Sequence, residues 1–143
     1  MLVWRVCRRP FADLSGDGAR LYGGRWNSPG RPVVYAAESA ALAVLEVRVP
    51  LDLDWNMLPD DCVLIAIDLS SVASGRMVDI PADPRAAGDA WLAANRSALL
   101  RVPSAIVYES ANVLINVAHP DARRISMASV RPFAFDQRLW RSR

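Results

Sequence analysis

An arginine, a tyrosine and a glutamate that could act on one substrate occur early in the chain. Arg25, Tyr35 and Glu46 are spaced 10 and 11 residues apart. A guanidinium fork matches phosphate oxygens geometrically, so one well-placed arginine is enough to bind a small anionic ligand. Arg25 is either such an anion-binding residue or one of many surface arginines, and the sequence leaves both interpretations open.

Glu46 lies in a stretch with helical periodicity. Leu42, Leu45 and Val49 fall on one face of the predicted helix, and Glu46 lies at the border of that apolar stripe. A partly buried carboxylate must be paired, hydrogen-bonded or protonated, because burial of a bare charge is too unfavourable. Glu46 is therefore either a functional acid or the partner of a structural arginine.

The residues around Arg25 favour irregular backbone. Two glycines, Gly23 and Gly24, precede Arg25, and Trp26 and Asn27 follow it. Glycines let a backbone approach a ligand closely, and an indole can pack against a flat ring or against the guanidinium itself. The alternative is that Trp26 is an anchor of the hydrophobic core. No strand–GxGxxG–helix pattern or Gly-Lys-Ser/Thr phosphate loop is present.

The remaining candidates are weaker when taken singly. Tyr35 could be a core tyrosine with a satisfied hydroxyl, and Ser104, directly after Pro103, could be a turn or cap residue. Asn112 and Asn116 have the spacing of one helical turn, which either aims both amides at one site or caps a short turn. No GxSxG motif occurs, and the single histidine precedes a proline, so a Ser-His-Asp hydrolase is not predicted.

Composition restricts the class of protein. The chain has 143 residues, which fits one domain spanning 1–143 with a core that needs no metal or disulfide. Two cysteines and one histidine are too few for a structural zinc site or a secreted disulfide framework. All 17 basic residues are arginines, spread along the chain against 15 acidic residues, so no nucleic-acid surface is expected. Without an apolar run long enough for a bilayer or a signal peptide, we expect a cytoplasmic protein.

The hydrophobic pattern predicts the elements that must position these residues. Residues 19–34 are expected to be a loop. A helix is predicted at about 40–49, with Ser39 as its N-cap and Pro50 as its stop. A second helix is predicted at 85–100, and the strands are predicted at 2–6, 33–36, 62–69 (a central strand) and 102–108, with further extended segments around 125–127 and 133–135. Strands with two helices between them give a mixed α+β fold.

The ordered set of motifs resembles the RES-domain family, the toxin half of bacterial Xre–RES toxin–antitoxin pairs. The resemblance covers nearly the whole chain, and the register of Arg25, Tyr35 and Glu46 is more specific than any single motif. One departure is Asn116-Val117, where the family usually has Asn-Pro. The motifs are Trp4-Arg5-Val6, Leu14 to Arg20, Gly24-Arg25-Trp26-Asn27, Pro32 to Tyr35, Ala43 to Val47, Val102 to Ile106, Asn112 to Asn116, His119-Pro120-Asp121 and Asp136 to Leu139.

The resemblance implies an ADP-ribosyltransferase-like fold, with central mixed or antiparallel sheets flanked by a few helices. It implies that NAD+ is consumed as a substrate, with no further cofactor and no metal. Glu46 would stabilise a ribosyl cation, Arg25 would bind the pyrophosphate, and Tyr35 would contact the nicotinamide riboside. Ser104 would orient the substrate or Glu46, although Ser110 and Ser126 are competitors for the family's serine. Trp26 and Asn112 are the further residues expected to contact NAD+.

The resemblance leaves the acceptor of the ADP-ribosyl group open. Water would make the protein a glycohydrolase, inorganic phosphate as co-substrate would make it a phosphorylase, and a protein side chain would make it a mono-ADP-ribosyltransferase. A non-catalytic module that binds a nucleotide or a partner is the more distant alternative. The implied partner is an Xre-type helix-turn-helix antitoxin, which would cover the cleft at Arg25 within a larger toxin–antitoxin complex; no direct contact with nucleic acid or membrane is expected.

Overall fold

The computed structural model describes residues 1–140 and contains one sheet flanked by three helices. The helices are α1 (Asp17–Tyr22), α2 (Ala40–Arg48) and α3 (Pro84–Ala94). The strands are β1 (Leu2–Arg8), β2 (Val33–Ala37), β3 (Cys62–Asp68), β4 (Ser74–Arg76), β5 (Leu99–Pro103), β6 (Ala111–Asn116) and β7 (Ser126–Pro132). Short 3-10 turns lie at Arg9–Phe11, Trp55–Met57, Pro120–Arg124 and Gln137–Trp140.

The sheet divides between β1 and β2. Its strand order is β4-β5-β6-β2-β1-β3-β7, with β4 and β5 parallel and the other neighbours antiparallel. Strands β1 and β3 pair continuously from Leu2 to Arg8, whereas β1 and β2 share the single register pair Trp4 with Ala37. The two halves, β1-β3-β7 and β2-β6-β5-β4, therefore diverge on either side of that pair and leave room for a cleft. The predicted α+β class is confirmed.

Apolar side chains cover both faces of the sheet. One face buries a cluster with Val3, Val34, Ile65 and Val113, which spans both halves. On the other face, α2 packs on β1 and β3 through Leu42 and Ala43, while Trp26, Leu92, Leu100 and Leu114 form a separate cluster beside α3. Because β3 is covered on both faces, its sequence is apolar from Cys62 to Ile67, as predicted for an interior strand. It is second from the sheet edge rather than central.

Helix α2 begins as the sequence predicts. The Ser39 hydroxyl accepts a hydrogen bond of 3.1 Å from the amide of Leu42, which satisfies one of the unpaired donors of the first turn. The buried side of the helix differs from the predicted stripe. Leu42 and Ala43 are buried, whereas Val49, just after the helix, is 60% exposed. The contacting face is thus rotated towards Ala43, and Glu46 lies one turn further along it.

The prediction of a loop throughout 19–34 is wrong at its start. Residues Asp17–Tyr22 form α1, which Gly16 enters with a left-handed φ of 69°. A Cβ on Gly16 would lie 2.7 Å from the amide nitrogen of Val33, so only glycine allows this close approach. The sequence Ser-Gly-Asp-Gly has the composition of a turn, which concealed a helix of two turns.

The predicted boundaries after residue 84 are also corrected. Helix α3 ends at Ala94, and Asn95 caps it in the left-handed conformation with φ of 53°. Leu99 and Leu100, assigned to a helix by their apolar spacing, instead belong to β5, which ends at Pro103 rather than extending to residue 108. Asn112 and Asn116 lie on β6 and not on a helical turn. The secondary structure of these segments is determined by pairing between strands that are distant in sequence, and a local hydrophobic pattern does not contain that information.

We predict that Ser39→Ala lowers the free energy of unfolding by about 1 kcal/mol, because α2 loses its N-cap. Ser39→Asp, which retains a cap acceptor, should stay close to the parent. Urea unfolding followed by circular dichroism measures both variants. Equal stability of Ser39→Ala and the parent would show that the cap does not stabilise α2.

Candidate active site

A cleft of about 250 Å³ lies where β1 and β2 separate. Its lining comes from four elements, β1, β2, α2 and β6. The candidate functional side chains among them are Arg5, Tyr35, Glu46 and Asn112. Of the residues expected to act on a substrate, Tyr35, Glu46 and Asn112 therefore meet at one site.

The carboxylate of Glu46 is held by two neutral donors through the same oxygen. Oε1 accepts hydrogen bonds of 2.7 Å from the hydroxyl of Ser104 and 2.7 Å from the side-chain amide of Asn112. Within residues 1–140, Oε2 accepts no hydrogen bond and Glu46 forms no ion pair. The alternative that Glu46 partners a structural arginine is therefore wrong. One carboxylate oxygen remains available to a ligand in the cleft.

Ser104 has only one direction in which its hydroxyl proton can point. The side chain is 1% exposed, and its oxygen accepts hydrogen bonds from the backbone amides of Ile106 at 3.0 Å and Val107 at 3.1 Å. Because both acceptor positions are occupied, the hydroxyl hydrogen is donated to Glu46. Ser110 closes the same loop with its backbone carbonyl, which accepts from the amide of Ser104 at 2.8 Å. Ser126 lies on the exposed strand β7, so Ser104 is the one of the three serines that contacts Glu46.

The two asparagines on β6 serve different sites. Asn112 lies opposite Ala37 in the register with β2 and donates to Glu46. Asn116 is buried and donates to the side-chain oxygen of Asn95 at 2.7 Å. Residues four apart along a strand are separated by about 13 Å, so the two amides cannot converge on one ligand. Asn112, which is expected from the sequence resemblance to contact NAD+, lines the cleft, and its bond to Glu46 was not predicted.

The hydroxyl of Tyr35 is committed to the protein. It accepts a hydrogen bond of 3.0 Å from the backbone amide of Trp26 and donates one of 2.5 Å to Oδ1 of Asn27. Burial raises the pKa of this phenol to about 12. Gly24 makes the contact possible, since a Cβ there would lie 2.6 Å from the Tyr35 hydroxyl oxygen. The part of Tyr35 that can meet a ligand is therefore its ring.

Residues 24–28, which we call the Arg25 loop, place Arg25 beside the cleft and not in its lining. The loop is a tight turn in which the amide of Gly24 donates to the carbonyl of Asn27 at 3.0 Å. Arg25 is exposed and has no polar partner within residues 1–140. Its guanidinium can therefore reach towards an anionic ligand.

Trp26 is a core residue, which corrects the expectation that its indole contacts NAD+. Its side chain is 3% exposed and packs with Leu92, Leu100 and Leu114. A ring buried in that cluster cannot stack on a ligand. What Trp26 contributes to the site is its backbone amide, which fixes Tyr35.

Arg5 is a cleft residue that the sequence reasoning did not single out. It lies on β1, and its Nη1 donates to the backbone carbonyls of Phe11 and Asp13, each at 3.1 Å. Both acceptors are uncharged, so these two bonds fix the guanidinium without neutralising its charge. The available signal was an arginine between Trp4 and Val6 in a predicted strand.

The lining of the cleft provides a carboxylate with one unoccupied oxygen, an arginine and an aromatic ring. Such a carboxylate can accept hydrogen bonds from hydroxyls and stabilise positive charge that develops in a transition state. Arginines can bind anionic groups of the same ligand. Residues 1–140 contain no group of three or more His, Cys, Asp or Glu side chains that could hold a metal ion. No helix among them has the length and apolar character to cross a membrane.

Comparison with known proteins identifies the family of the chain. The family described as "RES domain" matches residues 2–136. The Prs ADP-ribosylating toxin of Sphingobium sp. is 41% identical over 143 residues, covering 90% of this chain and 88% of the relative. Toxin Res of Pseudomonas putida is 37% identical, covering 98% of this chain and all (100%) of the relative.

A third relative connects the sequence to a solved fold. The NAD(+) phosphorylase MbcT of Mycobacterium tuberculosis is 53% identical over 36 residues, which cover 24% of this chain and 19% of that protein. The crystal structure of the M. tuberculosis MbcT-MbcA toxin-antitoxin complex superposes with a TM-score of 0.74 at 20% identity, covering 92% of this chain and 83% of that one. The fold is ADP-ribosyltransferase-like, as the sequence resemblance implied.

We predict that Tyr35→Phe lowers the free energy of unfolding by about 1 to 3 kcal/mol at neutral pH, because the Trp26 amide and Asn27 Oδ1 lose their partner. The parent should also lose stability as pH rises. An unfolded tyrosine ionises near pH 10, and folded Tyr35 keeps its proton until about 12. Ionisation thus favours the unfolded chain between these values.

Unfolding free energies measured across that alkaline range check the pH dependence. The parent should lose more stability than Tyr35→Phe, while Cys7 and Cys62 contribute to both and cancel in the difference. Identical pH profiles for the two proteins would show that the Tyr35 hydroxyl is not buried as described.

Proposed function

The chain belongs to the RES domain family, and from that premise we propose that it is a toxin that consumes NAD+ by cleaving the bond between nicotinamide and ribose. The observation that carries the proposal is the carboxylate of Glu46, fixed by Ser104 and Asn112 in the cleft between the sheet halves with Oε2 unoccupied. The names of the relatives support the substrate, since one is an ADP-ribosylating toxin and another an NAD(+) phosphorylase.

The proposed reaction needs a cation stabiliser more than an acid. When the glycosidic bond of NAD+ breaks, its electron pair leaves with the positively charged nicotinamide, which becomes neutral. The ribosyl carbon is left with oxocarbenium character, as in glycoside cleavage. Glu46 would accept hydrogen bonds from the ribose hydroxyls through Oε2 and place negative charge beside the developing cation. No group needs to protonate the leaving group.

Ser104 and Asn112 would act through Glu46. The single hydroxyl hydrogen of Ser104 is donated to Oε1, and Asn112 donates one of its two amide hydrogens to the same oxygen. Holding one oxygen of a carboxylate leaves the second at a defined place in the cleft, which is the preorganisation that electrostatic catalysis requires. We therefore interpret Ser104 as the residue that orients Glu46, which is one of the two roles that the resemblance implied for it.

The remaining side chains would bind the dinucleotide. Arg25, which has no partner within residues 1–140, would donate to the pyrophosphate, and Arg5 at the cleft supplies a second cation for the same charge. Tyr35 would pack its ring against the nicotinamide riboside, because its hydroxyl is already used. NAD+ is the substrate in this scheme, and no further cofactor and no metal take part.

The acceptor distinguishes the specific activities. Transfer of the ribosyl carbon to water yields ADP-ribose and a proton, and transfer to inorganic phosphate yields its phosphate ester. Phosphate is favoured by the name of the M. tuberculosis relative. The second candidate is mono-ADP-ribosylation of a protein, which is favoured by the name of the Sphingobium relative, 41% identical over 90% of this chain.

We also propose a partner. The M. tuberculosis structure is titled as a toxin-antitoxin complex, which supports an antitoxin for this chain, of the Xre helix-turn-helix type and acting in the cytoplasm. It would cover the cleft at Arg25 in a larger assembly and would supply the DNA-binding surface that this chain does not need. A complex that retains full NAD+ turnover would contradict occlusion of the cleft.

We predict that the purified protein releases nicotinamide from NAD+ and that the label of adenine-labelled NAD+ identifies the acceptor. Reactions with and without phosphate, and with and without cell extract, are separated by chromatography and gel electrophoresis. A phosphorylase gives the phosphate ester only with phosphate, a glycohydrolase gives ADP-ribose in both, and a transferase labels protein from the extract.

Glu46→Gln tests the role of the carboxylate in the same assay. Gln keeps an oxygen for Ser104 and Asn112 but removes the negative charge, so turnover should fall by about 100-fold or more. Glu109→Gln, on the exposed part of the loop after Ser104, is the matched control and should retain parental turnover. Full activity of Glu46→Gln would contradict the role of the carboxylate. An unchanged NAD+ pool on expression of the parent would favour the non-catalytic alternative.

A further inference from the structure

The Arg25 loop is fixed by contacts at every residue except Arg25. The carbonyl of Gly24 accepts from Nε of Arg85 at 3.3 Å. Asn27 is fully buried, and its side-chain amide donates to the carbonyl of Ala19 at 2.9 Å. Ser28 donates from its backbone amide and from its hydroxyl to Asp89, at 2.8 and 2.6 Å. Arg25, the residue proposed to bind the pyrophosphate, is thus the one residue of the loop without a polar partner in the described part of the chain. The contacts of its neighbours fix the backbone that presents its side chain.

Two consecutive residues of α3 make closest contact with this loop. Both carboxylate oxygens of Asp89 are used on Ser28, and these bonds lower the pKa of that carboxyl from its usual value. Gly88 is buried against the backbone of Trp26, where a Cβ would lie 1.7 Å from the carbonyl oxygen. No side chain other than hydrogen allows that approach. Helix α3 and the loop are therefore held together by the hydrogen bonds of Asp89, and the absence of a side chain at Gly88 allows the close approach.

We infer that Asp89 and Gly88 are positioning residues that hold the Arg25 loop in its binding conformation before the dinucleotide arrives. The inference rests on the proposed function, in which Arg25 binds the pyrophosphate. A loop that is ordered in advance loses little conformational entropy on binding, so more of the interaction energy of Arg25 appears as affinity. Asp89 acts on the ligand only through Arg25.

The test uses two pairs of matched variants. Asp89→Ala removes both bonds to Ser28, and Asp52→Ala, at an exposed aspartate between α2 and β3, is its control. Gly88→Ala forces α3 away from Trp26, whereas Gly18→Ala adds a Cβ in α1 that meets nothing within 4 Å. Ser28→Ala breaks the hydroxyl bond from the loop side and leaves α3 intact, should either α3 variant fail to fold.

The first readout is hydrogen exchange of the free protein at the amide of Trp26. This amide bonds to Tyr35 and not to Asp89, so its exchange reports the order of the whole loop. Loss of the two bonds should accelerate it by about tenfold or more in Asp89→Ala. Gly88→Ala should show the same direction, and both control variants should match the parent. Unchanged exchange in Asp89→Ala and Gly88→Ala would overturn the inference.

The second readout is the dissociation constant for NAD+ on the Glu46→Gln background, in which turnover is slowed. Arg25→Ala and Asp89→Ala should each weaken binding by about tenfold, and the double variant should be no weaker than Arg25→Ala alone, because both act through one contact. Additive losses would overturn the inference, since a merely structural role does not depend on Arg25. If Arg25→Ala binds NAD+ as tightly as its parent, the proposed role of Arg25 is wrong. Hydrogen exchange at Trp26 does not depend on NAD+, so it still tests separately whether Asp89 and Gly88 order the loop.

Discussion

The site depends on the hydroxyl group of Ser104, which can donate its hydrogen bond in only one direction. Two backbone amides occupy the acceptor positions of Ser104, so its hydrogen is directed to Glu46. A second donor, Asn112, converges on the same oxygen from β6. Neither donor is charged, and the carboxylate is therefore oriented without being neutralised by a counter-ion. The same contact ties α2 to the end of β5, two elements far apart in sequence.

The divergence of β1 from β2 opens the cleft that this carboxylate lines. A continuous sheet would fill the space with paired backbone, whereas a single shared register pair leaves a cleft bordered by β1, β2, α2 and β6. The two halves stay together because one apolar cluster on the opposite face spans both of them. The lining of this cleft includes both a basic residue, Arg5 on β1, and an acidic one, Glu46 on α2. Arg25 adds a cation beside the cleft, on a loop whose residues on either side form hydrogen bonds with the rest of the protein.

Local patterns were sufficient where local physics decides the structure. Ser39 predicts its helix because an N-cap bond lies within four residues, and the apolar run of β3 predicts burial on both faces. The register of Arg25, Tyr35 and Glu46 led to the correct family and to two cleft residues. The order of Ser104, Ser110 and Ser126 could not identify which serine meets Glu46, since that contact joins positions 58 residues apart.

The errors came from contacts that no local pattern encodes. Leu99 and Leu100 fit a helix and a strand equally well until β4 and β6 pair with them. Trp26 has a side chain of a type that often contacts ligands, but the close approach of α3 at Gly88 buries it. Arg5 was passed over because a lone arginine in a strand has no spacing partner. The roles of Gly88 and Asp89 became visible only with the packing of α3 on the loop.

The most direct test of the account is a crystal structure of the Glu46→Gln variant with intact NAD+. We expect the nicotinamide ribose in the cleft between β1 and β2, with a ribose hydroxyl within hydrogen-bond distance of the side chain at position 46 and the pyrophosphate against Arg25 or Arg5. A dinucleotide bound elsewhere on the protein, with this cleft empty, would contradict the assignment of Glu46 as the group that acts on the ribosyl carbon.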